Sequence, residues 1–389
     1  MSDLETKNTV ALCRMRTERR LQKLQGVQKL AIKFKKRKID DVGYEAAWVF
    51  DVNRDGHLDI VCGEYWYEGP DFTKKHKICD VQPEGEYYDD FSNFGMDVNG
   101  DGYIDIITGG WWGETLRWRE NPGDYGEWKV HDIAWCGNIE TIRYFDIDGC
   151  GVPEIFPNTP GQPQCFFKLV TDENGRGTGK FEKYVIGEQP SGHGMGFGDI
   201  NGDGRVDILL SGGWLEQPEN LFEGPWVFHP DYDIGWSASV PILAHDVNGN
   251  GLVDLIVGNA HGYGLAWFEH VVDADGKRSF IRHEIDTTVA QYHDMVLVDI
   301  DGDGEIELLT GKRYRAHCGS DPGDNDNPGI YYFKINGGAF EKHVIDYGPV
   351  GEASGVGIYF WVGDINGDGV LDIVAPGKEG LFLFEGEKE

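Results

Sequence analysis

Residues 199–213 read DINGDGRVDILLSGG, and the acidic pattern at the start of this stretch recurs along the chain. The first nine residues have the form Asp-x-Asn-x-Asp-Gly-x-x-Asp. Seven copies or near copies of this form begin at Asp51, Asp97, Asp146, Asp199, Asp246, Asp299 and Asp364. Successive copies are 46, 49, 53, 47, 53 and 65 residues apart. A period of this length indicates an array of repeats rather than seven separate domains.

The segments around each acidic loop have the character of β-strands. A short apolar run rich in β-branched residues follows the loop, as in DIVCG and DLIVGN, and predicts a buried strand. An aromatic segment such as GLAWFEH or GIYYFKI comes next, and then one such as KFEKYVI or AFEKHVI. With the segment that leads into the loop, such as GMGFGDI, each repeat supplies four strands. The sequence therefore predicts an all-β protein, a seven-bladed β-propeller of four-stranded blades.

The two ends of the chain complement each other. The sequence stops soon after GLFLFEG, one strand short of a complete blade, whereas FKKRKI at residues 34–39 precedes the first loop and matches the missing outer strand. We therefore expect an N-terminal strand to complete the last blade and close the ring. This assigns residues 30–389 to the propeller. Residues 1–29 form a basic arm, which we expect to be a short surface helix or a disordered segment.

Charge and composition restrict the class of protein. The formal net charge is −32, and many of the carboxylates lie in the seven loops, where divalent cations would offset them. This charge argues against nucleic acid as a partner. The seven cysteines follow no spacing pattern, which favours reduced thiols. No apolar run resembles a signal peptide or spans a bilayer, so we expect a cytoplasmic chain. The oligomeric state is left open.

The loops themselves predict metal binding. Oxygen side chains at positions 1, 3, 5 and 9 with a glycine at position 6 resemble the calcium loop of an EF-hand. The alternative is that the loops are turns held by their own Asx hydrogen bonds. We expect structural calcium in six loops, and a weak or empty third loop because it contains Cys150 and Pro153. The predicted ligands are Asp51, Asn53, Asp55, Asp59, Asp97, Asn99, Asp101, Asp105, Asp199, Asn201, Asp203, Asp207, Asp246, Asn248, Asn250, Asp254, Asp299, Asp301, Asp303, Glu307, Asp364, Asn366, Asp368 and Asp372.

The repeat phase also aligns residues that lie far apart in the sequence. In a propeller the strand nearest the axis leads into the acidic loop, so the residue six before the first aspartate lies at one rim of the central channel. These residues are Glu45, Phe91, Glu140, His193, Val240, His293 and Ile358. Four of the seven are ionisable, which favours a functional site at this rim.

A second set of candidates comes from the loop after the apolar strand, which returns to the same rim. From the two sets together, the candidate catalytic residues are His193, His261, His293 and Tyr314. The candidate substrate-binding residues are Lys312, Arg313, His317, Trp112, Trp214, Tyr65 and Lys378. Tryptophan stacks on the apolar faces of sugar rings, and cations hold carboxylates or a developing enolate. The alternatives are a structural role for each histidine and packing between blades for each tryptophan.

The histidines allow a second interpretation. Two or three imidazoles together with Glu45 or Glu140 also suit Zn²⁺ or another divalent metal at the channel rim. The long polar segment at residues 311–329 adds further cations to this rim. A long loop on a rigid scaffold is a usual carrier of binding residues, although a plain surface excursion is the alternative.

The loops and their flanks resemble a known repeat. Seven matches in register resemble FG-GAP/VCBS repeats, as in integrin α-subunit heads, over about residues 33–386. The stretches GHGMGFGDINGDGRVDIL and YHDMVLVDIDGDGEIELLTGKRYRAH are similar to the propeller part of aldos-2-ulose dehydratases, and more loosely to propeller-type polysaccharide lyases. This resemblance implies metal-assisted β-elimination with histidine and tyrosine as acid and base. The second propeller and cupin-like parts of the dehydratase family are absent here.

The sequence thus predicts a carbon–oxygen lyase acting on a keto-sugar or uronate-type saccharide. In this hypothesis the base is His193 or His293, the enediolate is stabilised by a metal or by Arg313 and Lys312, and the acid is Tyr314 or His261. The alternative is a non-catalytic, integrin-like or lectin-like propeller that binds a protein or a glycan. No G-x-S-x-G or H-E-x-x-H motif occurs, which argues against those hydrolase classes.

Overall fold

The computed structural model describes residues 32–190 and 192–388, so the basic arm predicted over residues 1–29 lies outside the described residues. The described chain folds into seven four-stranded antiparallel sheets and one two-stranded hairpin, and contains no helix. None of these residues belongs to a helix long and apolar enough to cross a membrane. The prediction of an all-β, seven-bladed propeller is confirmed.

The strands follow one another around the ring in chain order. The first strand is β1 (Ile32–Asp40). Blade one contains β2 (Ala47–Phe50), β3 (Asp59–Cys62), β4 (Tyr65–Glu68) and β5 (Lys74–Lys77). A hairpin of β6 (Pro83–Glu84) and β7 (Tyr87–Tyr88) precedes blade two, which contains β8 (Phe94–Met96), β9 (Asp105–Thr108), β10 (Thr115–Glu120) and β11 (Lys129–Trp135). Blade three contains β12 (Thr141–Phe145), β13 (Glu154–Asn158), β14 (Pro163–Thr171) and β15 (Gly177–Pro190).

The second half of the ring repeats the pattern. Blade four contains β16 (Met195–Gly198), β17 (Asp207–Leu210), β18 (Gly213–Glu216) and β19 (Val227–His229). Blade five contains β20 (Leu243–His245), β21 (Asp254–Gly258), β22 (Tyr263–Val272) and β23 (Arg278–Ala290). Blade six contains β24 (Tyr292–Val298), β25 (Glu307–Lys312), β26 (Gly329–Asn336) and β27 (Ala339–Tyr347). Blade seven contains β28 (Trp361–Gly363), β29 (Asp372–Gly377) and β30 (Gly380–Lys388).

The seventh blade is completed by the N-terminal strand. Strand β1 pairs antiparallel with β30, so that Phe34 lies opposite Gly386 and Lys36 opposite Phe384. The ammonium of Lys36 also donates to the Asp346 carboxylate of blade six at 2.8 Å. The predicted closure of the ring by an N-terminal strand is therefore confirmed.

A buried carboxylate at the ninth loop position ties each blade together. In blade two, Asp105 is fully buried and accepts the backbone N–H of Val98 in the loop and of Asn121 after β10, at 2.9 and 2.8 Å. The same pair of bonds is made in the other blades with a ninth aspartate by Asp59, Asp207, Asp254 and Asp372. Each carboxylate thus satisfies two buried donors and joins the end of the inner strand to the end of the third strand.

The inner strands of neighbouring blades approach each other closely. The Ile242 N–H donates to the Met195 carbonyl oxygen at 2.7 Å, which links blade five to blade four. A Cβ atom on Gly196 would lie 1.9 Å from the Ile242 carbonyl oxygen. Only glycine permits this approach of two backbones.

Side chains from blades that are not neighbours meet across the axis. The rings of Phe94 in blade two and Tyr359, just before blade seven, are perpendicular, with centroids 5.0 Å apart. Tyr144 of blade three packs against Phe94 at 4.3 Å. Nearby, the guanidinium of Arg143 in blade three pairs with Asp294 of blade six at 2.7 Å. These contacts fill the centre of the ring between blades two, three, six and seven.

The ninth carboxylate provides a test of this architecture. Asp105→Ala should lower the free energy of unfolding by about 2–4 kcal/mol, because two buried backbone N–H groups lose their acceptor. The control is Asp132→Ala, which removes an exposed carboxylate on β11 and should change stability by less than about 0.5 kcal/mol. Urea denaturation measures both variants, and equal stability would contradict the role given to Asp105.

Candidate functional site

Four side chains from four consecutive blades converge at one end of the channel. They are Glu140, His193, His261 and His293, called the rim cluster below. The Nε2 atoms of His193 and His293 each lie 3.1 Å from Oε1 of Glu140. The Nε2 atom of His261 lies 3.0 Å from Nε2 of His193. The four candidate ligand atoms all lie within 4.8 Å of one another, which is close enough for them to bind a single metal ion.

The propeller repeat explains why these residues meet. Glu140 precedes β12, His193 precedes β16 and His293 is the second residue of β24, and all three occupy the position six residues before a loop aspartate. His261 lies in the turn between β21 and β22, which returns to the same rim. The structure thus brings together the three histidines that the repeat phase aligned.

Hydrogen bonds determine which nitrogen carries the proton in two of the imidazoles. His193 donates its Nδ1–H to the Ala238 carbonyl oxygen at 2.5 Å, and His261 donates its Nδ1–H to the Asp321 carboxylate at 2.9 Å. Both acceptors are oxygen atoms that carry no hydrogen. Because a neutral imidazole has only one N–H, Nε2 of His261 is left with a bare lone pair. This lone pair lies 3.0 Å from Nε2 of His193, which itself lies 3.1 Å from the Glu140 carboxylate.

The environment of His293 and Glu140 lowers the pKa of both side chains. Burial and the neighbouring Arg313 guanidinium lower the pKa of His293 to about 3, so this imidazole is neutral. Although burial disfavours the charge of Glu140, its contacts with His193 and His293 hold the pKa of this carboxyl well below its usual range. The rim cluster therefore presents imidazole nitrogens and one anionic carboxylate.

A buried ion-pair network lies beside the rim cluster. Arg313 donates to Glu45 through Nε at 2.8 Å and through Nη2 at 3.3 Å. Lys378 contacts the same carboxylate at 3.0 Å. The ammonium of Lys378 also lies 4.1 Å from the ring centroid of Tyr87, and Arg313 lies 5.9 Å from it. Two cations share one carboxylate, so this side of the pocket has a positive excess.

Residues 313–324, called the strap below, cross the channel mouth after β25. Arg315 makes two hydrogen bonds to the Glu86 carboxylate of the hairpin before blade two, at 2.8 and 2.6 Å. The hydroxyl of Tyr87 donates to the Ala316 carbonyl oxygen, and Lys378 donates to that of Arg315 at 2.9 Å. The strap therefore runs from blade six to the opposite side of the ring.

The strap places a further histidine beside the rim cluster. The rings of His317 and His261 stack in parallel, with centroids 4.0 Å apart and planes 5° apart. Nδ1 of His317 lies 3.0 Å from Oδ2 of Asp321, the same carboxylate oxygen that holds His261. The His317 side chain is 51% exposed, and its described contacts with Asp321 involve Nδ1.

The other predicted site residues lie in several environments. Lys312 is buried and donates to the Gln291 side chain and to the Gly323 carbonyl oxygen, and burial lowers its pKa to about 8. Trp112 is 38% exposed and its ring lies 5.0 Å from that of Tyr87, at the edge of the pocket. Among the described contacts of the rim cluster, none involves Tyr314.

Two aromatic residues expected at the rim pack inside their blades. Trp214 is fully buried, stacks on His229 at 4.2 Å and donates its Nε1–H to Asp231, so no face of the ring is free for a sugar. Tyr65 lies on β4 under the ammonium of Lys75, 3.8 Å from the ring centroid. Conversely, Tyr87 and Asp321 border the site although they lie outside the aligned positions. The hairpin and the strap are insertions, for which the repeat gives no register.

The seven acidic loops fall into two groups according to the residue that the sheet register places opposite the ninth carboxylate. In the five blades with a ninth aspartate this residue is a glutamate, namely Glu68, Glu120, Glu216, Glu269 or Glu385. In the two blades with a ninth glutamate it is a lysine, Lys168 or Lys334. The facing residue is therefore negatively charged where the ninth residue is aspartate and positively charged where it is glutamate.

Contacts within the loops agree with this division. The ammonium of Lys168 donates to Asp148 at 2.6 Å and to Glu154 at 2.7 Å. In blade six, Lys334 contacts the carboxylates of both Asp301 and Asp303. A lysine ammonium thus lies among the loop carboxylates of blades three and six.

Comparison with known proteins supports the repeat. Residues 246–310 match the model of the FG-GAP-like repeat family, which confirms that part of the predicted resemblance. None of the curated protein sequences compared with the chain matches it.

Among solved structures, the chain is similar to BBS1N in complex with ARL6DN, soaked with lead. The TM-score is 0.52 at 10% identity, over 92% of this chain and 97% of that one. It is also similar to rhamnogalacturonan lyase YesW, with a TM-score of 0.45 at 12% identity over 90% and 72% of the two chains. For Bacillus licheniformis rhamnogalacturonan lyase PL11 the values are 0.46, 12%, 90% and 71%. At these identities a likeness concerns the fold alone.

The ion-pair network beside the cluster gives a testable consequence. Glu45→Gln should lower the free energy of unfolding by about 3–5 kcal/mol, because Arg313 and Lys378 would stay buried without their shared counter-charge. Adding Arg313→Met to this variant should recover part of the loss, since one unpaired charge is removed. The control is Glu86→Gln at the surface, which should cost less than about 1 kcal/mol. Chemical denaturation of all four proteins distinguishes these expectations.

Proposed function

We propose that this propeller is a metal-dependent, carbohydrate-active lyase whose active site is the pocket between the rim cluster and the strap. One observation carries the proposal, namely the convergence of one carboxylate and three imidazoles, whose candidate ligand atoms all lie within 4.8 Å of one another. One carboxylate oxygen and three imidazole nitrogens from separate blades are a usual donor set for a four-coordinate metal ion. Burial and the neighbouring His193 lower the pKa of His261 well below its ordinary value, which disfavours an added proton.

The donor set indicates the class of metal. Three imidazole nitrogens and one carboxylate oxygen suit zinc or a neighbouring divalent transition metal, whereas calcium prefers oxygen alone. Glu140, His193, His261 and His293 would hold the ion. When bound, it would act as a Lewis acid that polarises a carbonyl or carboxylate group of the substrate. Two of the three imidazoles already have the outer hydrogen-bond partner that metal-binding histidines use.

The chain's own residues would then carry out the proton transfers. His317 is the best candidate for the base, because Asp321 holds its Nδ1 and its Nε2 is left to take the proton beside the substrate carbonyl. The C–H electron pair forms the new double bond, and the β-oxygen leaves with its electrons. The imidazolium of His317 returns the proton to that oxygen. This assignment replaces His193 or His293, whose Nε2 atoms lie against the Glu140 carboxylate and would be ligands of the metal.

The remaining groups suit a saccharide. Arg313 and Lys378 place positive charge where an enolate oxygen or a uronate carboxylate would develop or bind. Trp112 and Tyr87 supply aromatic faces at the edge of the pocket, as sugar-binding sites commonly do. A keto-sugar or a uronate-type saccharide meets both requirements.

A substrate panel tests the proposal. The chain, supplied with Zn²⁺ or Mn²⁺, should release unsaturated product from a keto-sugar or a uronate-containing polysaccharide, followed by the product's absorbance. His317→Ala should lower kcat by about 10²–10⁴-fold with metal content unchanged, because only the proton acceptor is lost. Glu140→Gln should lose metal affinity. His343→Ala, on outer strand β27, is the matched control and should behave as the parent.

Each alternative has its own outcome. Binding of a saccharide without turnover would favour a lectin-like module instead of a lyase. Full turnover by His317→Ala would contradict its role as the base.

We further propose that structural calcium occupies the loops of blades one, two, four, five and seven, and that lysine takes its place in blades three and six. Support comes from the side chain facing the ninth carboxylate. A glutamate there adds a third or fourth carboxylate, and a cation would offset the mutual repulsion of these groups. Lys168 and Lys334 supply the positive charge themselves. This narrows the expectation from six calcium loops to five.

Exchanging the facing charge should change the calcium count. Lys334→Glu should add one calcium to the five of the parent, because Asp299, Asp301 and Asp303 are already in place. Glu269→Lys should remove one for the opposite reason. The control is Lys277→Glu in an exposed turn, which should leave the count at five. Equilibrium dialysis with elemental analysis reports the stoichiometry, and a parent protein that binds six or seven ions would refute the division.

A further inference from the structure

We propose that Asp321 is a positioning residue that fixes His261 and His317 together and so couples metal capture to closure of the strap. The inference rests on the proposed metal centre. It adds to that centre a residue that touches neither the metal nor the substrate.

The geometry around Asp321 is specific. Its Oδ2 lies 2.9 Å from Nδ1 of His261 and 3.0 Å from Nδ1 of His317, and its Oδ1 lies 3.1 Å from the latter. The two rings stack in parallel, so one carboxylate accepts the Nδ1–H of both. A neutral imidazole that donates from Nδ1 presents a bare Nε2. Asp321 thereby selects the tautomer that binds metal in one ring and accepts a proton in the other.

The strap holds the carboxylate in place from within. The side chain of Asp324 is buried and accepts the backbone N–H of Asp321 at 3.1 Å and of Gly319 at 2.6 Å. The Gln291 side chain donates to the other oxygen of Asp324. These bonds fix the turn that carries Asp321 against blade six, so its carboxylate is preorganised and not free to follow the ring.

Coupling between metal and strap follows from this arrangement. A metal ion that binds Nε2 of His261 fixes the ring, and the fixed ring stabilises Asp321 and the strap. By linkage, a strap that leaves the mouth weakens the metal site by the same factor. The bonds of Arg315 to Glu86 at the far side of the mouth are therefore part of the same equilibrium.

Asp326 offers a matched control just beyond the strap. Its carboxylate accepts the Tyr263 hydroxyl at 2.6 Å, and its described contacts include neither His261 nor His317. Asp321→Asn and Asp326→Asn thus make the same chemical change at neighbouring positions, of which only one contacts the imidazoles.

Cobalt(II) binding to the full chain, kept in calcium, provides the readout. Asp321→Asn and Asp321→Ala should bind cobalt about 10–100-fold more weakly than the parent, the loss typical of an outer partner of a metal-binding histidine. The visible d–d spectrum should shift in both variants. Asp326→Asn should retain the affinity and the spectrum of the parent. Thermal unfolding without cobalt checks that the variants are folded.

Hydrogen exchange supplies a second, independent measurement. Cobalt should slow exchange of the backbone amides of the strap in the parent, and this protection should be lost in Asp321→Ala. Parental cobalt affinity and spectrum in both Asp321 variants would overturn the inference while leaving the metal centre intact. A parent chain that binds no cobalt at the rim would instead remove the metal centre, and with it the proposed function.

Discussion

The structure depends on the buried carboxylate at the ninth loop position, which accepts one N–H from the loop and another from beyond the third strand. This pair of bonds fixes the inner strand relative to the rest of its blade. Because the bonds recur, the inner strands enter the ring in the same phase, and the residue six before each loop reaches the same rim. The repeated acidic loop thereby determines which side chains meet at the axis.

The sequence predicts much of this arrangement, and the features that it does not predict have a physical reason. The repeat phase predicts the blades, the closing strand, and the meeting of His193 and His293 with Glu140. It gives no register for the hairpin or the strap, so Tyr87 and Asp321 are missed. Trp214 was expected at the rim, but on β18 its ring turns to His229 within the blade. The sequence does not reveal that Lys168 and Lys334 face the ninth loop residue, because the turn before the third strand varies in length.

The chain separates two kinds of cation chemistry. Loop carboxylates and carboxamides offer oxygen, the donor of hard ions, whereas the rim cluster offers three nitrogens and one oxygen. The acidic loops follow the inner strands, whereas the rim cluster lies near the starts of inner strands and in the turn between β21 and β22. Calcium in a loop would therefore not compete for the histidines, and the loops would not compete for a transition metal at the rim.

The position of the rim cluster also links function to the integrity of the ring. Glu140, His193, His261 and His293 come from blades three to six, and Arg313 reaches Glu45 of blade one, so the pocket spans most of the circumference. A propeller that opened between β1 and β30 would let these blades move apart. An ion bound only by the closed ring stabilises that ring by mass action, since it binds the native arrangement and not the open one. Closure by the N-terminal strand and binding of the proposed metal at the axis would therefore stabilise each other.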